Sequence, residues 1–313
     1  MARAFVFPGQ GSQAVGMGRE LAATFPIAKQ LFEEIDEALG QSLTKLMFEG
    51  PEEELTLTAN AQPALMAVSL AILRVLEAEG AFRISDLAKY VAGHSLGEYS
   101  ALTAAKAFEV ADAARILKVR GTAMQEAVPV GEGTMAVLMG VEMDVAEAIA
   151  AEAAQGEICT AANDNAPGQI VLSGETSAVN RAVELAAKKG SKRSILLPVS
   201  APFHCAMMAP AADVLAAELA TVLIKEPIIP VVSNVTADAQ SEPDQIIRLL
   251  VKQVTARVRW RESVLYMKDN GVDTFVEVGA GKVLTGLVRR IDRDLTGVSI
   301  QTPADIEEFL KTL

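Results

Sequence analysis

Short, wholly apolar runs alternate along this chain with longer stretches in which apolar residues recur every three or four positions, the pattern of an α/β protein. Ala4-Phe5-Val6-Phe7 reads as a buried strand closed by Pro8-Gly9. Helical spacing follows over Phe25–Leu39, with Pro26 near the start where its missing N–H is tolerated. Pro51-Glu52-Glu53-Glu54 reads as an acidic loop or first turn. Ala61–Leu76, with Pro63 near its head and Leu65, Val68, Ala71, Ile72 and Val75 at spacings of three and four, predicts an amphipathic helix. Tyr90-Val91-Ala92 is a second short apolar run, and Glu98–Lys106 and Ala107–Gln125 predict two further helices.

The character changes at Pro129-Val130-Gly131-Glu132-Gly133. A strand over Thr134–Val141 is followed by a helix over Val145–Ala154 and a short strand over Ile158–Ala162. A turn is then predicted at Asn163-Asp164-Asn165-Ala166-Pro167-Gly168, before a strand over Gln169–Ser173, a helix over Ser177–Lys188 and a last strand over Ser194–Leu197. That βαββαβ order is the split βαβ arrangement, compact in its own right. It predicts a small domain over 128–197 inserted into a larger one made of 1–127 and 198–313, with a cleft between two cores. Beyond it come a helix over Ala211–Leu223, a buried strand within Pro227–Val235, a helix over Ile246–Gln253 and a strand over Thr274–Val278.

Composition narrows the function. With 313 residues, 50% of them hydrophobic, the chain can bury a large core. No uninterrupted apolar run approaches the ~18 residues of a membrane span, and the apolar start after Arg3 is broken by Pro8 and glycines before it could serve as a secretion signal. Two cysteines, Cys159 and Cys205, are too few for a disulfide framework, so a reducing, cytoplasmic setting is expected. A net charge of −12 with few aromatic residues argues against nucleic-acid binding. The densest basic run is Lys188-Lys189-Gly190-Ser191-Lys192-Arg193, which by itself suits the solvated end of a helix.

The sharpest chemical signal is Gly93-His94-Ser95-Leu96-Gly97, a G-x-S-x-G with an apolar strand before it and a helix after it. That is the setting of a nucleophile elbow, where flanking glycines let the serine hydroxyl stand clear of the sheet and the following helix aims free N–H groups at a developing oxyanion. Only two histidines exist, His94 and His204. His94 adjoins the serine and its side chain should diverge, which leaves His204 as the general base. No acid is singled out to orient it. Asp238 and Asp244 sit in a polar loop, and a backbone carbonyl could serve instead. Arg120 falls on or beside an apolar helix face with Val110, Ala113, Leu117, Gly121 and Met124; it either meets an anion there or runs its stem out to water. Two apparent phosphate loops fail. Gly9-Gln10-Gly11-Ser12-Gln13-Ala14 has no helix close behind it, and Gly279-Ala280-Gly281-Lys282 lacks the first glycine and the Ser or Thr of a Walker A loop. No His, Cys and acid cluster has metal-ligand spacing.

Taken together, Phe7-Pro8-Gly9-Gln10-Gly11-Ser12-Gln13, Gly93-His94-Ser95-Leu96-Gly97-Glu98, Arg120, Pro202-Phe203-His204, Asn234-Val235 and Gly279-Ala280-Gly281-Lys282-Val283-Leu284 resemble, in order and spacing and over essentially the whole chain, the malonyl-coenzyme A:acyl carrier protein transacylases. The resemblance implies an α/β-hydrolase-like larger domain with a ferredoxin-like insert. It implies an acyltransferase of fatty acid synthesis that takes malonyl from its coenzyme A thioester to the phosphopantetheine thiol of acyl carrier protein through a malonyl ester of Ser95. It assigns His204 as base, the backbone carbonyl of Gln253 in place of the triad acid, and the backbone N–H groups of Gln10 and Leu96 as the oxyanion hole. Arg120 then pairs with the free malonyl carboxylate. The Gln10 side chain helps place the intermediate, Phe203 narrows the space beside the substrate's Cα, and Met124 is grouped with them as substrate-binding. No metal or tightly held cofactor is implied. The acidic carrier gives Lys188, Lys189, Lys192 and Arg193 a reading as its docking site, with Arg289, Arg290 and Arg293 next in line. Two other classes compete: a serine thioesterase using the same pair with water as acceptor, and a non-enzymatic interaction module that keeps only the fold.

Overall fold

Ala4 to Phe7, all fully buried, lie at the centre of a six-stranded sheet, because an apolar run with no polar alternation must be covered on both faces. The computed structural model describes residues 2–313. Its strands in chain order are β1 (Arg3–Phe7), β2 (Ala88–Gly93), β3 (Gly133–Met139), β4 (Cys159–Ala166), β5 (Gln169–Glu175), β6 (Arg193–Leu196), β7 (Val231–Val232), β8 (Ala239–Gln240), β9 (Thr274–Val278) and β10 (Thr296–Ile300). The large sheet has the order β10-β9-β1-β2-β7-β8, parallel except for the edge strand β8. In β1 and β2 the register pairs Phe7 with Gly93, so the two strands end side by side and their outgoing loops meet. Ligand sites of parallel sheets lie at these carboxyl ends.

β3 to β6 form a separate antiparallel sheet, ordered β4-β5-β3-β6 and covered by helices Met143–Ala154 and Thr176–Lys188 over a core that includes Leu138, Ile149, Leu172 and Val179. The molecule is thus an α/β-hydrolase-like larger domain with a ferredoxin-like insert.

Two sequence expectations are corrected. The segment Asn163–Ala166 is not a turn but the second half of β4, and only Pro167-Gly168 turn. Its polar residues read as loop, yet each is tied to a distant part of the chain through side chain or backbone. Asp164 is gripped by Arg261 at 2.8 Å, Asn165 bonds His94 at 2.9 Å, and Asn163 forms a parallel bridge with Val258 of the larger domain. The N–H of Asp164 donates to the Val258 carbonyl (2.9 Å) and that of Val258 to the Ala162 carbonyl (2.8 Å), which stitches the insert to the segment behind the large sheet. Arg257, donating to the Ala161 carbonyl at 3.0 Å, extends the seam.

The second correction concerns the predicted amphipathic helix. It runs from Thr58 to Gly80 and is buried on every side, with no exposed residue from Asn60 to Leu73. It is long and apolar enough to cross a membrane, but 83% of its most apolar window lies inside the fold. Its polar members Gln62 and Ser69 therefore face protein rather than water. A smaller difference is the helix expected over Ala211–Leu223, which occupies Ala209–Leu219.

Helix Val110–Glu126 lies against this core helix at Gly121, where a Cβ would come within 2.5 Å of the Thr58 carbonyl oxygen and 2.7 Å of the Ala59 Cα. Backbone cannot yield as a flexible side chain can, so Gly121→Ala should cost about 3 kcal/mol or more. Gly286, in helix Val283–Ile291, has nothing within 4 Å of its Cβ position, and Gly286→Ala should instead stabilise by about 1 kcal/mol. Denaturant midpoints of the two variants, shifted in opposite directions from the parent, check both expectations.

Candidate active site

Ser95 sits between β2 and helix Gly97–Ala104 with φ at 52°, a left-handed conformation unusual for a serine and characteristic of strained functional turns. Both elbow glycines are obligatory for close approach. A Cβ on Gly93 would lie 1.9 Å from the Gly97 carbonyl, and one on Gly97 would lie 2.2 Å from the Phe7 oxygen of β1. Asn234 pins the turn from the end of β7: its Oδ1 accepts from the Ser95 N–H at 2.7 Å and its Nδ2 donates to the Gly93 carbonyl at 2.7 Å.

His204 reaches the same point from the loop after β6. It is buried, with φ at 60°, and its Nε2 stands 2.8 Å from Ser95 Oγ. On the far side of the ring, Nδ1 lies 2.9 Å from the backbone oxygen of Gln253. A carbonyl only accepts, so Nδ1 carries the proton and Nε2 presents its lone pair to the serine hydroxyl. Burial first, then the charge of Arg120, pushes the imidazole pKa down to about 3, which keeps the ring neutral. Neither acid weighed from the sequence takes part. Asp238 bonds Gln240 and Asp244 opens helix Pro243–Gln253.

Arg120 is 1% exposed, so its stem does not run out to water. Its Nη1 donates to Gln62 Oε1 (2.8 Å), and its Nη2 donates to Gln253 Oε1 (2.9 Å) and to Ser95 Oγ (3.1 Å). The Tyr99 ring lies 5.4 Å from the guanidinium carbon. All these partners are neutral, and Nε has none. A buried cation held only by neutral acceptors has high affinity for an anion that can reach it.

A cavity of about 610 Å³ opens onto Ser95 and is lined by Gln10, Leu96, Arg120, Met124, Phe203 and His204 among others. The backbone N–H groups of Gln10 and Leu96 donate to no protein acceptor among the described residues, as an oxyanion hole requires. The Gln10 side chain bonds Thr58 Oγ1 at 3.3 Å. His94 does diverge from Ser95: its Nε2 meets Asn165 Oδ1 and its ring lies against Trp260. Among the described residues no group of His, Cys, Asp and Glu could hold a metal ion.

The basic run lies away from this cavity. Lys189 is paired with Glu152. Lys192 and Arg193 line a separate groove of about 490 Å³ along the seam between the domains, together with Glu142 and, from the larger domain, Arg290. Arg290 donates to Gln169, a residue that also lines the cavity at Ser95.

Three side chains that shape the site carry no role in the sequence reading. Gln62 lay unremarked within the predicted amphipathic helix, and Asn165 within a predicted turn. Glu98, buried in the first turn after the elbow, accepts from the Asn234 N–H at 2.9 Å and from Gln253 Nε2 at 2.8 Å. Its only sequence signal was its place directly after the G-x-S-x-G.

Fold and geometry together define an acyltransferase of the α/β-hydrolase-like class. The acyl transferase domain family matches residues 4–302. The chain is 46% identical over 311 residues to the malonyl CoA-acyl carrier protein transacylase of Bacillus subtilis, covering 99% of this chain and 96% of that protein. It is also 46% identical over 308 residues to the one from Escherichia coli K12, covering 98% of each. Among solved structures, the acyl-carrier-protein S-malonyltransferase of Bartonella henselae superposes with a TM-score of 0.97 at 53% identity, covering 100% of this chain and 99% of that one. A malonyl transacylase in complex with a type II PKS acyl-carrier protein superposes with a TM-score of 0.96 at 42% identity, covering both chains fully. The chain belongs to the malonyl-CoA:acyl carrier protein transacylase family.

Ser95→Ala should form no acyl-enzyme on mixing with malonyl-CoA, and His204→Ala should slow its formation by about 10²–10⁴-fold. Intact-protein mass, followed over time, reads both. A malonyl adduct on the alanine variant at 95 would remove the serine from the mechanism.

Proposed function

We propose that the protein transfers malonyl from malonyl-CoA to the phosphopantetheine thiol of acyl carrier protein, in two half-reactions through an ester of Ser95. The observation that carries the reading is Arg120, a buried cation without a carboxylate partner whose Nη2 is 3.1 Å from the nucleophile. It suits an acyl group that carries a free carboxylate a few atoms from its thioester carbonyl.

In the first half-reaction His204 Nε2 takes the Ser95 hydroxyl proton as Oγ attacks the thioester carbonyl. The oxyanion forms facing the N–H groups of Gln10 and Leu96. When the C–S bond breaks, the imidazolium returns its proton to the departing coenzyme A thiolate. In the second, the carrier's thiol gives its proton to His204 and its sulfur attacks the acyl-serine. Collapse breaks the ester bond, and Ser95 Oγ recovers the proton. Because the Arg120 charge helps hold the imidazole pKa down, a malonyl carboxylate that neutralises it makes His204 a better base as the substrate arrives. Phe203 and Met124 wall the acyl pocket, and no tightly held cofactor enters any step. The reading sets the reaction in the cytoplasm, where both buried cysteines stay free thiols.

Arg120→Ala tests the clamp. Malonyl transfer should be lost while acetyl transfer is retained or increased, since a neutral acyl group no longer shares the pocket with a cation. The measurement is the ratio of loading rates on the two thioesters, and a fall of equal size in both would make Arg120 structural. Running the parent with and without a thiol acceptor separates a transferase from a thioesterase.

In the same proposal, carrier docking falls on Lys192, Arg193 and Arg290, with Lys188 and Lys189 at the adjoining helix end. What supports it is the absence of carboxylate salt bridges to the first three, against the Glu152 partner that offsets Lys189. Two bodies of negative charge repel unless such residues gather at the contact. Lys192→Glu with Arg193→Glu should raise KM for the carrier severalfold, lessen the salt dependence of transfer and leave malonyl loading from malonyl-CoA nearly unchanged. Steady-state kinetics of each half-reaction at low and high salt reads this, and an unchanged carrier KM would discard the site.

A further inference from the structure

Arg120 and Glu98 are both buried, at 1% and 3% exposed, and neither forms a salt bridge among the described residues. Between them stands one amide. Gln253 Nε2 donates to Glu98 Oε2 at 2.8 Å, and Gln253 Oε1 accepts from Arg120 Nη2 at 2.9 Å. The same Nε2 lies 3.1 Å from the Ser95 carbonyl, and the Gln253 backbone oxygen holds His204. A lone buried carboxylate and a lone buried guanidinium are each costly, and they offset one another when a polarisable group links them.

We propose that Glu98 is the counter-ion of Arg120, acting through the Gln253 side chain, and that this indirect pairing moderates how strongly the site prefers carboxylated acyl groups. Contact between the two would quench the cation and close the site to the substrate's carboxylate. With an amide between them, Glu98 stabilises the guanidinium without touching it, and the Nη2 that Gln253 holds also reaches Ser95 Oγ. Glu98 is thus a positioning residue for the reaction proposed above, and the inference rests on that reading. Burial pushes the Glu98 carboxyl up to about 7, against the pull of the Asn234 N–H, Gln253 and Arg120. Facing it are Arg120 from helix Val110–Glu126, Tyr99 on its own helix, and the neutral side chains of Ser233, Asn234 and Gln253.

The test is the malonyl-to-acetyl ratio of loading kcat/KM in Glu98→Gln and Gln253→Leu. The glutamine at 98 keeps an acceptor for Gln253 and Asn234 and removes only the charge. Arg120 is then less compensated, so it pulls harder on a malonyl carboxylate and tolerates a neutral acyl group less, and the ratio should rise about tenfold. Leucine at 253 keeps the backbone carbonyl that orients His204 but breaks the link to Glu98 and takes an acceptor from the guanidinium, and the ratio should rise as it does in E98Q. A structural role would lower both thioesters alike. That result, or a ratio in E98Q equal to the parent's, would overturn the relay while malonyl loading by the parent leaves the functional reading standing. A parent that formed no malonyl ester would overturn both. Should E98Q not fold, the unsubstituted enzyme answers through infrared difference spectra with 13C-labelled glutamate, taken at a series of pH values on both sides of neutrality because burial raises the Glu98 carboxyl to about 7. Malonyl loading, which places a second negative charge beside Arg120, should bring up a protonated carboxyl signal that acetyl loading does not. The same spectrum for both esters would sink the proposal.

Discussion

A guanidinium buried to 1% exposure with no carboxylate against it is the constraint on which the rest of this structure depends. Losing water costs such a group several kcal/mol, and neutral acceptors recover that only if each stands at hydrogen-bond distance. Here the acceptors come from three places far apart in the chain: Gln62 on the core helix, Gln253 at the end of helix Pro243–Gln253, and Ser95 on the elbow. Arg120 therefore fixes the distances among those elements. The bare backbone contact at Gly121 brings its helix close enough to do so. The burial of Asn60–Leu73 follows from the same packing, since that part of the helix meets neighbours on all sides and must turn Gln62 inward.

Gln253 ties this cation to the catalytic base. One end of the residue, the carbonyl, orients the imidazole; the other, the side-chain amide, holds the guanidinium and touches the carbonyl of the nucleophile itself. Five residues further on, Val258 bridges to β4, and Arg257 and Arg261 grip the same strand. The insert, which supplies the Asn165, Val171 and Leu197 wall of the cavity, is thereby anchored to the segment that starts at the base's orienter. Both walls of the cleft are referenced to one stretch of backbone.

How much of this could be read from the chain depended on whether the cause was local. The elbow was legible because its G-x-S-x-G pattern lies within five residues between an apolar strand and a helix, although only Gly93 answers to a near neighbour, Gly97, while Gly97 itself meets the Phe7 carbonyl of β1. The βαββαβ order was legible because each strand and helix of the insert shows its own period. Asn163–Ala166 was not, since its polar side chains find their partners far along the chain, Arg261 for Asp164 and His94 for Asn165. The core helix misled for a related reason: apolar residues at three and four spacing describe one buried face, and nothing local says that a third layer covers the other. Arg257, Arg259 and Arg261 alternate with Val258 and Trp260 along the sequence, and only their acceptors, Ala161, Glu262 and Asp164, give that alternation a meaning.

Charge distribution follows the same logic of distance. A body at −12 that receives an acidic partner gains little from its average field, which repels. What matters is asymmetry at the entrance. Glu52 and Glu53 line the cavity on the side of the first helices, whereas Lys192, Arg193 and Arg290 line the groove along the domain seam. The two openings share a border at Gln169, which faces the cavity and also receives the Arg290 hydrogen bond. Under the docking proposed above, an acidic partner would be turned as well as drawn: its negative face would settle on the seam, away from the glutamates, and the arm it extends would enter from the side of Gln169. Such an arrangement contributes orientation more than affinity, and it works only because the seam is held shut by the β4–Val258 bridge, so that Lys192 and Arg193 on the insert and Arg290 on the larger domain keep a fixed spacing.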